Sequence, residues 1–185
     1  MKLIGISGHA GAGKDTAASY LRLIQGAIVF HFAGPLKKAC AYAFKVPEHN
    51  FNAPELKNEI IPYWNMSPRM IAQFVGTEMF REKLGQDFWV RRMEYEIQEL
   101  VDWQKTLIVI PDVRFQNEAD WVFSKNGHII HIQRDGADGN VGITNHSSEA
   151  GFTVSPTYER RFHVVHNNGS LENLYSQLLP IYRLV

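Results

Sequence analysis

The feature that most constrains this chain is a break. The apolar run Lys2–Ser7 stops at Gly8, and Gly13-Lys14 follows after four residues. A short apolar run of this kind is a buried strand, and Thr16–Ile24, with Ala17, Leu21 and Ile24 on one face, is the helix that follows it. Between them stand Gly8, His9, Ala10, Gly11, Ala12, Gly13, Lys14, Asp15 and Thr16. Glycines let such a turn curl until its backbone N–H groups point inward, and the helix start adds its positive end. A lysine at this spacing reaches the β- and γ-phosphates of a bound nucleotide, whereas a plain strand-to-helix turn needs neither the spacing nor the lysine. Asp15 occupies the position where Ser or Thr usually offers a hydroxyl to Mg²⁺. A carboxylate holds that ion directly or through water. Thr16 reaches it only in a shifted register, and the sequence leaves the choice open.

Strand and helix patterns alternate along the rest of the chain without a repeat. Ala27–Ala33 is a predicted second strand, and Leu36, Ala39, Cys40, Ala43 and Phe44 form a core-facing helical stripe. Val46–Asn65 carries three prolines and mixed charge, and has no period. Ser67-Pro68 is a helix start, an N-cap followed by proline at the first helical position, and the helix should run to about Leu84 and stop at Gly85. A further helix is predicted over Phe88–Lys105, with Val90, Met93, Ile97, Leu100 and Val101 inward. Thr106–Val113 is a strand, Gln116–Lys125 a helix closed by Asn126-Gly127, and His128–Arg134 a strand. Gly136–Ser155 is a polar loop or lid, Phe162–His166 a fifth strand, and Ser170 caps a last helix. Such alternation implies an α/β fold, a five-stranded, mainly parallel sheet with helices on both faces. Residues 1–185 then form one domain, with the helical block 36–105 inserted between the second and third strands and a lid-like loop at 135–155.

Composition narrows the function classes. Nineteen basic and nineteen acidic side chains cancel, so no net field draws the chain to nucleic acid or to anionic membranes, and any anionic ligand must be held by a local cluster. Cys40 stands alone, which excludes an intramolecular disulfide and a Cys-rich metal site and favours a reducing interior. The apolar start, Leu3 to Ile6, is too short for a signal peptide or a span. The expectation is a soluble, cytoplasmic protein with a small-molecule partner, and a homodimer stays open.

Several residues outside the loop are candidates for chemistry. Asp112 and Arg114 follow the apolar strand Leu107–Pro111, and ligands of doubly wound sheets sit outside such carboxyl ends. Asp112 is then a residue for metal or a substrate hydroxyl, and Arg114 a phosphate clamp. Arg69, Gln73 and Thr77 recur at i, i+4 and i+8, with Arg81 one step beyond, a polar stripe that an inserted helix could aim into a cleft. Gly76 within that helix costs about 1 kcal/mol against Ala and so hints at close approach by backbone or ligand. Arg134 enters the polar loop, where it could close over a transferring phosphoryl group. His128 and His131 fall on opposite faces of a strand and make no paired metal site.

With these residues in view, the chain resembles the bacteriophage deoxynucleoside monophosphate kinases of the P-loop nucleoside-monophosphate kinase group. The resemblance rests on Ile6–Thr16, Phe32-Ala-Gly-Pro-Leu-Lys37, Gly76-Thr-Glu78, Asp112-Val-Arg-Phe-Gln-Asn-Glu118, His146-Ser-Ser-Glu149 and Asn167-Asn-Gly-Ser-Leu-Glu172. The Lys-Asp-Thr variant belongs to that pattern, and residues 45–66 match none of it. The resemblance implies transfer of the ATP γ-phosphoryl group to a deoxynucleoside monophosphate, with Mg²⁺ as cofactor. It implies Asn167 and Gly169 in the loop beside adenine, Asp15 and Asp112 for metal, and Lys14, Arg114 and Arg134 in catalysis. Phe32, Lys37, Arg69, Gln73, Arg81, Asp112 and Arg114 are then the acceptor residues. The acceptor phosphate has its second pKa near ~6 and needs no strong base, so alignment and charge neutralisation suffice. Rival readings are a P-loop kinase of another phosphorylated metabolite (a coenzyme precursor or phosphorylated isoprenoid), a GTPase-like switch, for which the Asn-Lys-x-Asp motif is missing, and a nucleotide-binding subunit without turnover.

Overall fold

The computed structural model describes residues 2–99, 106–137 and 151–185. The stretch Lys2–Ser7 is β1, and each residue of it from Leu3 on is buried. Burial on both faces is what a central strand of a parallel sheet demands. The helix α1 (Lys14–Gln25) returns over one face, followed by β2 (Ile28–Val29) and α2 (Gly34–Phe44). The inserted block continues with a 3₁₀ turn Glu48–Phe51, α3 (Pro68–Phe74), α4 (Glu82–Leu84) and α5 (Phe88–Gln98). The strand β3 (Leu107–Ile110), the helix α6 (Gln116–Ser124), β4 (His128–Gln133), β5 (Phe162–His166) and α7 (Leu171–Tyr182) complete the fold.

The five strands run in the order β2-β3-β1-β4-β5, and every neighbouring pair is parallel. The alternation of β1 divides the core. Ile4 and Ile6 face α1 and α7, packing with Leu21, Leu174 and Leu178, while Leu3 faces the opposite layer with Ile71, Met93, Val122 and Phe123. Each such buried aliphatic side chain contributes about 1.5–3 kcal/mol. Gly5 lies between Val113 and Val122, and a Cβ there would come within 2.9 Å of Val113 Cγ2, so α6 rests directly on the strand.

Two expectations change in detail. The second strand is only Ile28–Val29, because after Phe30 the backbone N–H groups of Phe32 and Ala33 turn to the Asp112 carboxylate at 2.9 Å each and the chain enters α2. The predicted helix over Ser67–Leu84 forms without interruption, capped by Ser67 Oγ on the N–H of Met70 and ended by Gly85 at φ 113, but Val75–Arg81 is π-helical. There Gly76 presses on α2, where a Cβ would meet Leu36 Cδ2 at 2.6 Å, and its carbonyl accepts from Trp89 Nε1 at 3.0 Å. The close approach read into Gly76 is therefore packing between helices. Leu100 and Val101, most of the 135–155 loop and His146–Glu149 lie outside the described residues.

Candidate active site

The loop between β1 and α1 is shaped by its glycines. Gly8 has φ +132, and a Cβ on it would stand 2.3 Å from the Ile132 carbonyl oxygen; Gly13 has φ +104 and touches the Asn167 amide. Neither position admits a side chain without moving β4 or the turn after β5. Lys14 folds across the loop, its Nζ donating to the carbonyls of Gly8 at 2.8 Å and His9 at 2.7 Å. Asn167 braces the same loop, donating from Nδ2 to Ala12 O at 2.8 Å while its own N–H donates to Gln133 O. Gly169 is exposed two residues further on, and Arg134 Nη1 lies 3.5 Å from the Gly11 carbonyl, across the loop. Beneath it Ser7 Oγ pairs with His131 Nδ1 at 3.0 Å. Burial, with His9 and Lys14 nearby, holds His131 below its ordinary pKa.

A cleft of about 1150 Å³ runs from this loop into the inserted helical block. Ala10, Gly11, Lys14 and Asp15 line one end; Arg69, Gln73 and Thr77 line the other, so the predicted polar stripe does face the cleft. Asp15 is exposed on the cleft wall, and Thr16 is not part of that wall. Phe32, buried with its ring edge-on to Trp121, and Lys37 form part of the floor with Asp112 and Arg114. Lys37 Nζ donates to Asn52 Oδ1 at 2.8 Å. Burial holds Lys37 below its ordinary pKa; Asp112 and Asp15 pull it back up, and Arg114 and Lys57 press it further down. Cations crowded this way are relieved by an anion between them.

The string Asp112–Glu118 works as one device. Asp112 accepts from both N–H groups that open α2, which gives it a positioning task at the cleft floor. Glu118 is fully buried and accepts from Arg114 N at 2.8 Å, Phe115 N at 3.2 Å and Arg81 Nη2 at 2.5 Å. Burial pushes its carboxyl up, against the pull of Arg81. Arg81 also donates to Gln86 O and Asn117 Oδ1 and lies 3.7 Å over the Phe115 ring. With both terminal nitrogens bound to protein, Arg81 ties the helical block to α6 instead of gripping a phosphate as predicted. Arg114 stays exposed at the cleft, its backbone fixed by Glu118.

Lys57 and Asn52 escaped the sequence reading. They lie in the stretch without period, and Lys57 reaches the cleft because its carbonyl accepts from Arg69 N at 2.9 Å across the fold. The buried acceptor Glu118 stood inside a quoted motif, yet only its partner Arg81, 37 residues away, reveals its task.

A family model for deoxynucleotide monophosphate kinase matches residues 2–62 and 55–178. The chain belongs to that family. It is 34% identical over 97% of its length, and 95% of the relative's, to a protein of Acanthamoeba polyphaga mimivirus that carries the provisional name of such a kinase. It is 23% identical to the deoxynucleotide monophosphate kinase of Enterobacteria phage T4, covering 96% of this chain and 97% of that one. Among solved structures it is similar to dephospho-CoA kinase from Campylobacter jejuni, with TM-score 0.52, 12% identity and coverage of 99% of this chain and 96% of that one, a likeness of fold. The family's match sets aside the rival kinases of other metabolites, and the α/β P-loop kinase fold stands.

Proposed function

We propose that the two ends of the cleft divide the two substrates of a deoxynucleotide kinase: ATP on the loop Gly8–Thr16, the deoxynucleoside monophosphate in the inserted helical block. As a member of its family the enzyme transfers the γ-phosphoryl group of ATP to a deoxynucleoside 5′-monophosphate, giving ADP and the diphosphate. The observation that carries the division is one cleft lined both by the phosphate loop and by Lys37, Lys57 and Arg114, whose charges crowd one another. An acceptor phosphate oxygen attacks the γ-phosphorus, and the bond from that phosphorus to the β-bridging oxygen breaks as ADP leaves. No proton needs removing from the largely ionised acceptor, so the protein supplies alignment and charge. Lys14 turns from its loop carbonyls to the donor phosphates, Arg114 and Lys37 hold the acceptor, and Arg134 approaches the loop from the far side.

Magnesium fits the donor set. Asp15 presents a hard carboxylate oxygen to the cleft one residue after Lys14, and such an ion takes one or two carboxylates and fills its shell with phosphates and water. Among the described residues no group of three or more His, Cys, Asp or Glu could hold a metal by itself. When bound, the ion neutralises charge between the phosphates. Asp15 is the residue we assign to it, and Asp112 shapes the floor.

The test is ADP release in a coupled assay with Mg-ATP across the deoxy- and ribonucleoside monophosphates. Turnover that depends on a deoxynucleoside monophosphate is expected. Turnover only with some other phosphorylated metabolite would remove the proposal.

A further inference from the structure

The strand β4 is the base on which the phosphate loop stands. A Cβ on Gly8 would fall 2.3 Å from the Ile132 carbonyl oxygen, and one residue earlier His131 Nδ1 bonds Ser7 Oγ at 3.0 Å. Ser7 and His131 are register partners on neighbouring parallel strands, and Ser7, 3% exposed, is the last residue before the loop begins. His131 is half-buried, with the Phe162 ring of β5 stacked 6.0 Å away. The charged groups acting on it among the described residues both belong to the loop: His9, and Lys14, whose Nζ bonds the carbonyl of Gly8 next to Ser7. Phosphoryl transfer itself needs neither Ser7 nor His131. A serine partner differs from a histidine partner in what it permits. His128 and His163 share one hydrogen bond, which fails once both rings are charged. A hydroxyl both donates and accepts, so Ser7 can donate to the bare Nδ1 of a neutral ring or accept from the Nδ1–H of a charged one. The Ser7–His131 bond therefore survives a change of charge at His131.

We propose that His131 is a positioning residue of the donor site, which fixes the start of the phosphate loop through Ser7 and takes up a proton as the triphosphate binds. The inference rests on the placement of ATP on the loop given above. In the free protein burial, His9 and Lys14 all oppose a second proton on the ring. A bound triphosphate reverses the field. It brings several negative charges to the loop and draws the Lys14 ammonium away from the carbonyls of Gly8 and His9. The proton comes from solvent to the bare ring nitrogen, the Ser7 hydroxyl turns where it must, and no other bond is made or broken. No acid or base chemistry at phosphorus is asked of the ring. Its charge lies under the loop and adds to that of Lys14 against the phosphates. The coupling is reciprocal, so a group that gains a proton on binding makes binding tighter in acid. That contribution is lost as pH rises through the value the ring has in the complex.

The test is calorimetric titration with Mg-ATP, without acceptor, in buffers of different ionisation heat, which counts the protons taken up. It is run on the parent, His131→Gln, His131→Asn and Ser7→Ala between about pH 6 and about pH 8, the range in which histidines titrate. The two amides keep a hydrogen-bonding group for Ser7 and cannot titrate. The ligand's own protons are common to all four proteins and cancel in the differences. The parent should take up a large part of a proton more than either His131 variant. Its Kd for ATP should weaken about threefold or more, relative to theirs, from the acid to the alkaline end. Ser7→Ala should bind ATP more weakly at every pH, and an unaltered affinity would deny the pair its positioning task. Equal proton uptake in the parent and the His131 variants overturns the inference, whether His9 or another group then carries the proton. Should neither variant fold, the imidazole signal of His131 in the parent, followed by NMR with and without ATP, reads the same proton. A ring that titrates at the same pH in both states overturns the inference as well. A parent that binds no ATP strikes instead at the placement of ATP on the loop, and the inference falls with it.

Discussion

On the division proposed above, the phosphate loop and the wall that faces it hold phosphate in opposite ways. Gly8, Gly13 and Lys14 sit within seven residues, and their geometry is dictated by positive φ and by contacts to Ile132 and Asn167. The facing wall takes Lys37 from α2, Lys57 from the irregular stretch, Gln73 from α3 and Arg114 from the turn after β3. It is held in place by protein–protein bonds, chiefly those of Asp112 and of the buried Arg81–Glu118 pair. Backbone carries the first region and tertiary contacts the second. Changes at the loop should therefore strike chemistry alone, while changes behind the wall should strike stability and acceptor binding together.

The largest effect belongs to the loop. Lys14→Ala should lower kcat about a hundred- to thousandfold and act on turnover far more than on the thermal midpoint, since its charge serves the donor phosphates and its Nζ donates to the loop carbonyls of Gly8 and His9. Near-normal turnover in that variant would leave the loop without its assigned task.

Behind the wall, Arg81→Ala should destabilise the protein by about 3–5 kcal/mol, because Glu118 is then left buried without its cation. Arg114→Ala, two residues from Asp112 but exposed, should destabilise it far less. Denaturant unfolding of the two variants side by side decides it; equal losses would erase the distinction between support and contact.

Those two arginines also show what a sequence discloses. The loop was legible because its chemistry is local: spacing, strand before, helix after. The parallel sheet, Ser67 and Ser170 as caps and Gly85 as a stop were legible for the same reason. Arg81 and Arg114 look alike in one dimension, and only the fold shows that the first meets Glu118 across 37 residues while the second stays at the cleft. Asp112 was placed at the right strand end, yet its bonds to Phe32 and Ala33 cross 79 to 80 positions and shorten the predicted second strand. Lys57 gave no signal because its segment has no period to read.

A smaller effect sharpens the metal assignment. Asp15→Ala should raise the Mg²⁺ concentration needed for half-maximal rate, whereas Thr16→Ala should not. The opposite result would move the ligand role to Thr16 and a shifted loop register.

The smallest effect lies at the edge of the sheet, between β4 and β5. His128 Nδ1 and His163 Nε2 share one hydrogen bond at 2.9 Å, so at least one ring is neutral, and burial holds both below the ordinary histidine pKa. The folded protein then binds fewer protons than the unfolded chain near pH 6. Stability that is full above pH about 6.5 must therefore fall as acid carries these rings through their lowered values. Melting measured from pH 7.5 to 5.5 should show the loss, and His163→Gln should flatten it. A curve that is flat in the parent would deny the pair its neutral state.

The division of the cleft turns on where Arg114 acts, and one comparison addresses it directly. ATP binding without acceptor, followed by steady-state kinetics for both substrates, is to be measured in the parent and in Arg114→Lys, which keeps the charge but loses the planar fork. Unchanged ATP affinity, a raised acceptor KM and a lowered kcat are expected, because alignment is used in the transition state as well as in binding. Weakened ATP binding with an unaltered acceptor KM would place Arg114 on the donor side and contradict the division of the cleft.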